Sequence, residues 1–149
     1  MSAYIQNRRA TFDFEILKTY EAGLVLHGYE VKAIRAGKGS LKGAHVLVRG
    51  GEALLIGASI NPYQPANTPK NYDPERNRTL LLSKKEIDEI DQKTNAERLT
   101  AIPIKLYNSG RKIKLEIAVA RGMKKTDKRE NIKERETKRD IERTLKNQY

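Results

Sequence analysis

The sequence contains no cysteine and no tryptophan, and it has only two histidines, His27 and His45. The absence of cysteine excludes disulfides and zinc sites built on thiolates. The two histidines match neither a zinc-ligand spacing nor an evident catalytic set, and an isolated histidine is more often an ordinary surface or core residue. The sequence therefore predicts a fold that needs no metal, disulfide or cofactor.

Long hydrophobic runs are also missing. No stretch approaches the roughly 18 apolar residues that a membrane-spanning helix requires. Residues 1–9 contain no hydrophobic core of a secretion signal. We therefore expect a cytoplasmic protein with no membrane contact.

Positive charge is what the sequence has in excess. The chain carries 30 Lys and Arg against 19 Asp and Glu, which gives a net charge of +11 over 149 residues. Residues 121–149 contain eleven basic and six acidic residues, so this end contributes +5 and residues 1–120 contribute +6. Clustered Lys and Arg give salt-sensitive affinity for polyanions, because each neutralised phosphate releases counterions. This clustering favours a nucleic-acid partner over charge that serves solubility alone.

The charge pattern also divides the chain. Residues 1–120 are numerous enough to bury a hydrophobic core. Residues 121–149 are not, because Ile132, Ile141 and Leu145 are nearly their only large aliphatics. We expect a domain over residues 1–120 and a basic tail over residues 121–149 that is disordered when free.

The tail nevertheless permits a helix. Its Glu-to-Lys pairs are spaced i, i+4 in the favourable order, at Glu134 with Lys138 and at Glu142 with Lys146. We expect it to become helical when a nucleic acid screens its cations. The alternative is a permanent charged helix packed on the domain.

Alternation of apolar and polar residues predicts the strands. The predicted strands cover residues 12–16, 22–26, 44–49, 53–58, 80–82, 102–106 and 113–119. Gly50 and Gly51 favour a tight hairpin turn, and residues 108–110 favour a second one. Pro103 lacks an N–H and therefore favours a sheet edge or a bulge.

Two helices are predicted. In residues 29–36, Lys32 and Arg35 share one face, and Gly37 favours a left-handed helix end. The second helix begins with a capping-box pattern at Ser83 and Glu86 and fades near Asn95. Residues 61–75 hold four of the five prolines and predict a long loop.

Short connections between these strands require antiparallel pairing, because parallel crossovers need longer segments. Closure of the sheet into a small barrel would remove its exposed edges. The predicted fold is therefore mainly β, a small antiparallel OB-like β-barrel with two or three short helices and the basic tail.

Six short blocks then occur in a characteristic order and spacing. They are NRRA at 7–10, YEAG at 20–23, GYEVK at 28–32, RAGK at 35–38, DPERNR at 73–78 and DKR at 127–129. In these blocks, and over residues 7–146 as a whole, the sequence closely resembles the small protein B family, the bacterial SsrA-binding proteins.

This resemblance implies a non-enzymatic protein that binds tmRNA, the RNA that releases stalled ribosomes in trans-translation. It implies that the barrel binds the tRNA-like domain of tmRNA around its elbow. Alanyl-tRNA synthetase and elongation factor Tu are implied functional partners. The tail is implied to occupy the decoding centre and the empty mRNA channel of the small ribosomal subunit.

The resemblance also implies particular site residues. Asn7, Glu21 and Leu81 fall on family positions associated with tmRNA binding. In the tail, the implied ribosome contacts are Lys124, Lys125, Asp127, Lys128 and Arg129. From the residues alone, the favoured interpretation of Glu21 is a surface acid paired with a nearby Lys or Arg, and that of Leu81 is a core leucine.

Basic residues on predicted strand faces, helix faces and loops are candidates for phosphate contacts. They are Arg8, Arg9, Lys32, Arg35, Arg76, Arg78, Lys112 and Lys114. We expect at least one continuous basic surface among them.

The sequence departs from the family pattern at four positions. Met123 stands where the family usually has Lys, and Thr126 stands where it has His or Tyr, so stacking on a decoding-centre base is in doubt. Tyr72 and Thr79 stand where His and Lys are common.

Two other function classes are open from the sequence. A ribosomal protein or general single-strand binder shares the barrel and the charge, but the nine aromatics show no evident stacking platform. The Glu30-x-Lys32 spacing occurs in metal-dependent nucleases, yet residues two apart on a helix point in different directions, and no second acid is evident.

Overall fold

The computed structural model describes residues 3–122, apart from the side chain of Thr11. Its nine strands are β1 (Ala3–Gln6), β2 (Phe14–Leu24), β3 (Gly39–Ser40), β4 (His45–Arg49), β5 (Glu52–Ile56), β6 (Ser59–Ile60), β7 (Arg78–Leu81), β8 (Thr100–Ser109) and β9 (Lys112–Gly122). Its α-helices are α1 (Ala10–Asp13), α2 (Gly28–Arg35) and α3 (Lys84–Asp91). A 3-10 turn covers Pro65–Asn67, and a π-turn at Gln92–Ala96 continues α3.

Seven strands form one sheet in the order β1-β8-β9-β2-β7-β5-β4, and every neighbouring pair is antiparallel. Strands β3 and β6 form a separate short pair. The sheet curls so that β4 packs near β8. Among the described residues, however, no ladder joins the end strands β1 and β4. The predicted mainly antiparallel β class is confirmed.

The core lies inside this curled sheet. In β9, Ile113, Leu115 and Ile117 alternate with more exposed residues, and every residue from Ile117 to Ala120 is buried. Ile34 of α2 and Ile90 of α3 are buried in the same cluster. Each such side chain contributes about 1.5–3 kcal/mol when it leaves water. Among residues 3–122, no helix is long and apolar enough to cross a membrane.

The predicted hairpin between β4 and β5 is confirmed. Gly50 and Gly51 have φ angles of 59° and 79°, the left-handed values that a type I′ turn needs. The β8–β9 hairpin is also confirmed, but its turn lies later than predicted. Ser109 still pairs with Lys112, so the connection consists of Gly110 and Arg111.

The prediction of a strand over residues 12–16 is wrong at its start. Residues Ala10–Asp13 form the helical turn α1, in which the backbone N–H groups of Phe12 and Asp13 donate to the Arg9 carbonyl at 3.1 and 3.0 Å. The strand begins only at Phe14 and continues to Leu24 along β9, with a bulge between Ile16 and Lys18. The two predicted strands are therefore one, because the long partner β9 pairs with both halves.

The helix signals are confirmed. Ser83 Oγ accepts a hydrogen bond from the Glu86 backbone N–H at 3.2 Å, and α2 ends before Gly37, whose φ is 73°. Pro103 lies beside a bulge, as predicted, but not at an edge, since β8 pairs with β1 on one side and β9 on the other.

A buried ion cluster connects α2, the long loop and β7. Glu30 and Arg78 are 0% exposed. Arg78 donates to Glu30 Oε2 from Nε at 3.0 Å and from Nη2 at 2.9 Å, and Arg76 Nη2 donates to Glu30 Oε1. Because each ion is bonded directly to its counterion, the cluster offsets the cost of burying charge.

Loop carbonyls and Tyr72 complete the cluster. Arg78 also donates to the carbonyl oxygens of Ala58 at 2.8 Å and Pro74 at 2.9 Å. The Tyr72 hydroxyl accepts from Arg78 at 3.0 Å and lies 3.1 Å from Glu30 Oε2. Burial, followed by the negative charge of Glu30, raises the pKa of Tyr72 to about 12, so this hydroxyl keeps its proton at neutral pH. The loop after β6 is thereby held against α2.

The same contacts determine the charge state of Glu30. Burial alone would raise the pKa of this carboxyl, but hydrogen bonds from Arg76, the His27 backbone N–H and Arg78 outweigh burial and lower the pKa to about 2. Glu30 is therefore ionised throughout the neutral and mildly acidic range.

Replacing the buried acid tests this cluster. We expect Glu30→Gln to lower the free energy of unfolding at pH 7 by about 3–5 kcal/mol, because two arginines then lose their anion. Urea unfolding measures this difference. The control Glu75→Gln removes an exposed acid from the same loop and should change the free energy by less than about 0.5 kcal/mol.

The pH dependence has a definite sign. Because the folded-state pKa of Glu30 lies below its ordinary value of 4.5, its contribution is complete above pH 4.5 and is lost as the pH falls towards 2. The difference between wild type and Glu30→Gln should therefore shrink over that window. A constant difference from pH 7 to pH 3 would contradict this account.

Candidate nucleic-acid interface

The polar side of the sheet collects four of the predicted site residues. Residues directly opposite each other on paired strands present their side chains to the same face. Lys114 on β9 lies opposite Tyr107 on β8 and Gly23 on β2, and Gly23 lies opposite Leu81 on β7. We define the outer face by Lys105, Tyr107, Lys112, Lys114, Glu116, Glu21, Gly23 and Leu81.

Glu21 is held in place on this face by a tyrosine. The Tyr107 hydroxyl donates to Glu21 Oε2 at 2.6 Å. Burial and then this hydrogen bond raise the pKa of Tyr107. The structure thus gives Glu21 a tyrosine partner, whereas the alternative interpretation expected a basic one. A carboxylate accepts several hydrogen bonds, so Glu21 is oriented while other lone pairs remain for a ligand.

The neighbouring positive charge is arranged around the same tyrosine. Lys105 Nζ lies 3.5 Å from Glu116 Oε2 and 5.4 Å from the centre of the Tyr107 ring. Tyr107 is therefore a fixed part of the outer face.

Leu81 lies on the surface, so its interpretation as a core leucine is wrong. Its side chain is 58% exposed, while its neighbour Leu80 is buried. Gly23 has no side chain to occupy the space beside Leu81. A Cβ added at Gly23 would lie 3.3 Å from Leu81 Cβ and 3.7 Å from Lys114 Nζ. Leu81 is thus an exposed apolar contact next to a cation.

A groove with a volume of about 270 Å³ adjoins the outer face, and we call it the basic groove. Its charged lining residues are all basic, namely Arg35, Arg111, Lys112 and Lys114. Its apolar lining residues are Leu24, Leu26, Val31, Leu81 and Ile113. Arg35 Nη2 donates to the Arg111 carbonyl at 3.2 Å, which ties α2 to the β8–β9 turn. Cations around an apolar floor suit a phosphate chain with one unstacked base.

Asn7 and Arg9 line a different concave surface of about 450 Å³. Asn7 Nδ2 donates to the Pro103 carbonyl at 2.9 Å, so part of this amide holds the junction between β1 and α1. Arg8 and Arg9 are exposed. The structure therefore places these three predicted residues apart from the basic groove.

Two of the remaining predicted arginines are bonded to the buried Glu30. Arg78 is fully buried and committed to Glu30 and loop carbonyls, so the prediction that it contacts phosphate is wrong. The side chain of Arg76 is 27% exposed and bonded to Glu30. Charge alone did not reveal that these arginines neutralise a buried acid.

Lys32 is exposed, but it lines a groove different from that of Arg35. Glu30 offers no metal ligand, since both its oxygens are bonded to arginines. Within residues 3–122 no group of three His, Asp or Glu residues is placed to hold a metal ion. The nuclease interpretation has no support in this geometry.

The outer-face and groove residues that the sequence interpretation missed include Gly23, Lys105, Tyr107, Glu116 and Arg111. Lys105 and Tyr107 alternate with the buried Leu106, and this period-two pattern was the signal available for them. Gly23 lies in the YEAG block. Arg111 follows a glycine turn, and the sequence carried no signal that it borders a groove.

The tail predictions fall outside the described residues, namely Met123, Lys124, Lys125, Thr126, Asp127, Lys128 and Arg129. The last described residues still belong to the sheet. Strand β9 continues to Gly122, and Arg121 lies opposite Glu15 with Nη1 and Oε2 3.8 Å apart. The sheet therefore extends two residues past the predicted boundary at residue 120.

The chain is similar to proteins of one family. The family model described as SmpB protein matches residues 4–147. An SsrA-binding protein of Gloeobacter violaceus is 49% identical over 142 residues, which are 95% of this chain and 93% of that protein. An SsrA-binding protein of Rubrobacter xylanophilus is 47% identical over 147 residues, which are 98% and 97% of the two chains.

A solved structure described as "tmRNA-SmpB: a journey to the center of the bacterial ribosome" contains a similar chain. The two chains have a TM-score of 0.67 and 42% sequence identity, over 80% of this chain and 84% of the other. The match of the family model over nearly the whole chain, together with these relatives, shows that the chain belongs to the SmpB family.

Proposed function

We propose that this protein binds tmRNA through the outer face and the basic groove and acts without catalysis in trans-translation, the rescue of stalled ribosomes. The observation that carries the proposal is the joining of Glu21, Leu81, Lys112 and Lys114 on one sheet face. Relatives named SsrA-binding protein and a similar chain from a tmRNA-SmpB structure support the choice of RNA.

Each part of the surface suits a folded RNA loop. Such loops present splayed bases and 2′-hydroxyl groups, which proteins recognise by polar contacts and stacking. Glu21, oriented by Tyr107, can accept from a 2′-hydroxyl or a base N–H. Lys112 and Lys114 can neutralise phosphates, and Leu81 offers an apolar contact for a base or ribose. The tRNA-like domain of tmRNA is the proposed ligand.

The second part of the proposal concerns the tail. Residues 121–149 carry a net charge of +5, which suits ribosomal RNA. We propose that this tail occupies the decoding centre and the empty mRNA channel of the small subunit. Passage of the bound RNA to alanyl-tRNA synthetase and elongation factor Tu, in the cytoplasm, belongs to the same proposal.

The direction in which Glu21→Gln changes the affinity for RNA shows whether Glu21 recognises the RNA or only lies near it. If Glu21 only faces the RNA, Glu21→Gln removes a repulsive charge and tightens binding. If Glu21 accepts hydrogen bonds from the RNA, we expect binding to weaken about 10- to 150-fold, since such charged bonds contribute about 1.5–3 kcal/mol. Filter binding of the tRNA-like domain, bulk tRNA and unstructured RNA measures the change and its specificity.

The matched control is Glu52→Gln, which removes an exposed acid from the β4–β5 hairpin. Tighter binding by Glu21→Gln would remove Glu21 from the site. Equal affinity of the wild type for all three RNAs would instead favour a general RNA-binding protein.

The paired lysines predict a change in salt dependence. Each phosphate contact lowers the slope of log affinity against log salt by about 0.7–0.9, so Lys112→Ala with Lys114→Ala should reduce its magnitude by about 1.4–1.8. The slope is measured by repeating the binding experiment across salt concentrations. Lys84→Ala with Lys85→Ala is the charge-matched control on α3. An unchanged slope in the Lys112 and Lys114 variant would exclude these phosphate contacts.

Removal of the tail tests whether its role is separate. Because β9 ends at Gly122, a chain that stops there keeps the whole described sheet. We expect this chain to bind the tRNA-like domain with an affinity within about fivefold of wild type. The small loss of affinity would reflect the positive charge that is removed with the tail. The shortened chain should fail to support peptide tagging on stalled ribosomes. Loss of RNA binding would show that the two parts do not act separately.

A further inference from the structure

Helix α2 has a second groove on its other side. Val31 and Arg35 line the basic groove, whereas Gly28, Tyr29 and Lys32 line a concave surface of about 280 Å³. The opposite wall of this surface comes from the loop after β6, through Tyr63, Gln64, Asn67 and Thr68. We call it the tyrosine groove, and the function proposed above does not use it.

The Tyr29 ring in this groove is held from two sides. It stacks on the His27 ring with centroids 5.2 Å apart and planes at 19°, and it meets the Tyr72 ring edge-on at 5.0 Å and 82°. Tyr72 is in turn bonded to the buried Arg78. An aromatic ring fixed in this way loses little conformational freedom when a ligand packs against it.

The second aromatic ring is more accessible and lies beside a cation. Tyr63 is 41% exposed, and Lys38 Nζ lies 5.6 Å from its ring centre. The Lys32 side chain is exposed at the same groove. Tyrosine rings beside ammonium groups provide stacking for a base and a countercharge for its phosphate.

Charge and polar chemistry both favour a nucleotide here. None of the residues that line the tyrosine groove is acidic, and the nearby Glu30 is neutralised by the buried Arg78 and by the partly exposed Arg76. Asn67 Nδ2 donates to Gln64 Oε1 at 2.8 Å, so these two amides are held at the groove wall. Their other polar atoms, Asn67 Oδ1 and Gln64 Nε2, provide an acceptor and a donor for a base edge.

We propose that the tyrosine groove binds an unpaired nucleotide of the same RNA that occupies the outer face, stacked on Tyr63 with its phosphate near Lys32. This inference rests on the proposed function, because α2 borders both grooves and one RNA segment crossing it reaches both. A basic peptide is the less favoured occupant, because the groove offers cations where such a peptide would need acidic side chains.

The experiment uses the full chain with isotope-labelled side-chain amides and the tRNA-like domain of tmRNA. We expect the Gln64 and Asn67 amide signals to shift on binding in nuclear magnetic resonance spectra. Tyr63→Ala should weaken the affinity about 5- to 150-fold, the range that one lost base–aromatic stack produces. Tyr63→Phe keeps the ring and should restore binding to within about twofold of wild type.

Charge controls separate the phosphate contact from general electrostatics. Lys32→Ala should reduce the salt slope by about 0.7–0.9, whereas Lys85→Ala on α3 should leave it unchanged. Thermal unfolding checks that each variant is folded. Since Lys32 and Tyr63 are both exposed, a folded variant of at least one is expected.

The outcomes separate this inference from the function that it rests on. If the tRNA-like domain binds with wild-type affinity to folded Tyr63→Ala and Lys32→Ala chains, the tyrosine groove is not a nucleotide site while the proposed function stands. If the variants lose affinity only for small ribosomal subunits, the groove binds ribosomal RNA and the assignment is overturned. If the wild type shows no preference for the tRNA-like domain, the proposed function itself fails.

Discussion

The fold around the interface depends on one buried carboxylate. Glu30 lies at the start of α2, and Arg76 and Arg78 bind it from the end of the long loop and the start of β7. Charges removed from water are tolerated only when every one is compensated, so these three segments must meet in one arrangement. That arrangement positions α2 against the sheet and forms the walls of the basic groove and the tyrosine groove.

Helix α2 therefore does more than cover the core. Its buried side carries Ala33 and Ile34, while positions i and i+4 place Val31 and Arg35 in one groove and Gly28 and Lys32 in the other. Eight residues suffice because each helical turn returns to the same face. The sequence predicted that Lys32 and Arg35 share one helix face, whereas in the structure these two cations line two different grooves.

Local patterns predicted much of the fold because their causes are local. The capping box at Ser83, the glycines of the β4–β5 turn and the alternation over residues 112–117 of β9 each depend on neighbouring residues, and the structure agrees. The strand prediction for residues 12–16 was wrong at its start because an alternation over five residues also fits a helical turn. Pairing with a partner strand decides between the two conformations. Four of the eight residues that define the outer face were predicted from the sequence. They are Glu21, Leu81, Lys112 and Lys114, whereas the predicted Arg78 is buried.

The sequence by itself determined the mainly antiparallel class, the basic character, the likeness to the SmpB family and the scarcity of large aliphatics in the charged residues 121–149. These follow from composition, period and short blocks, which need no spatial information. Only the tertiary structure decided which charges face solvent, because Arg78 and Lys112 carry the same sign in the sequence and differ only in what packs around them. It also brought Tyr29 and Tyr63 together across 33 intervening residues, forming an aromatic groove that no local pattern contains, since proximity between distant residues arises only when the chain closes its core.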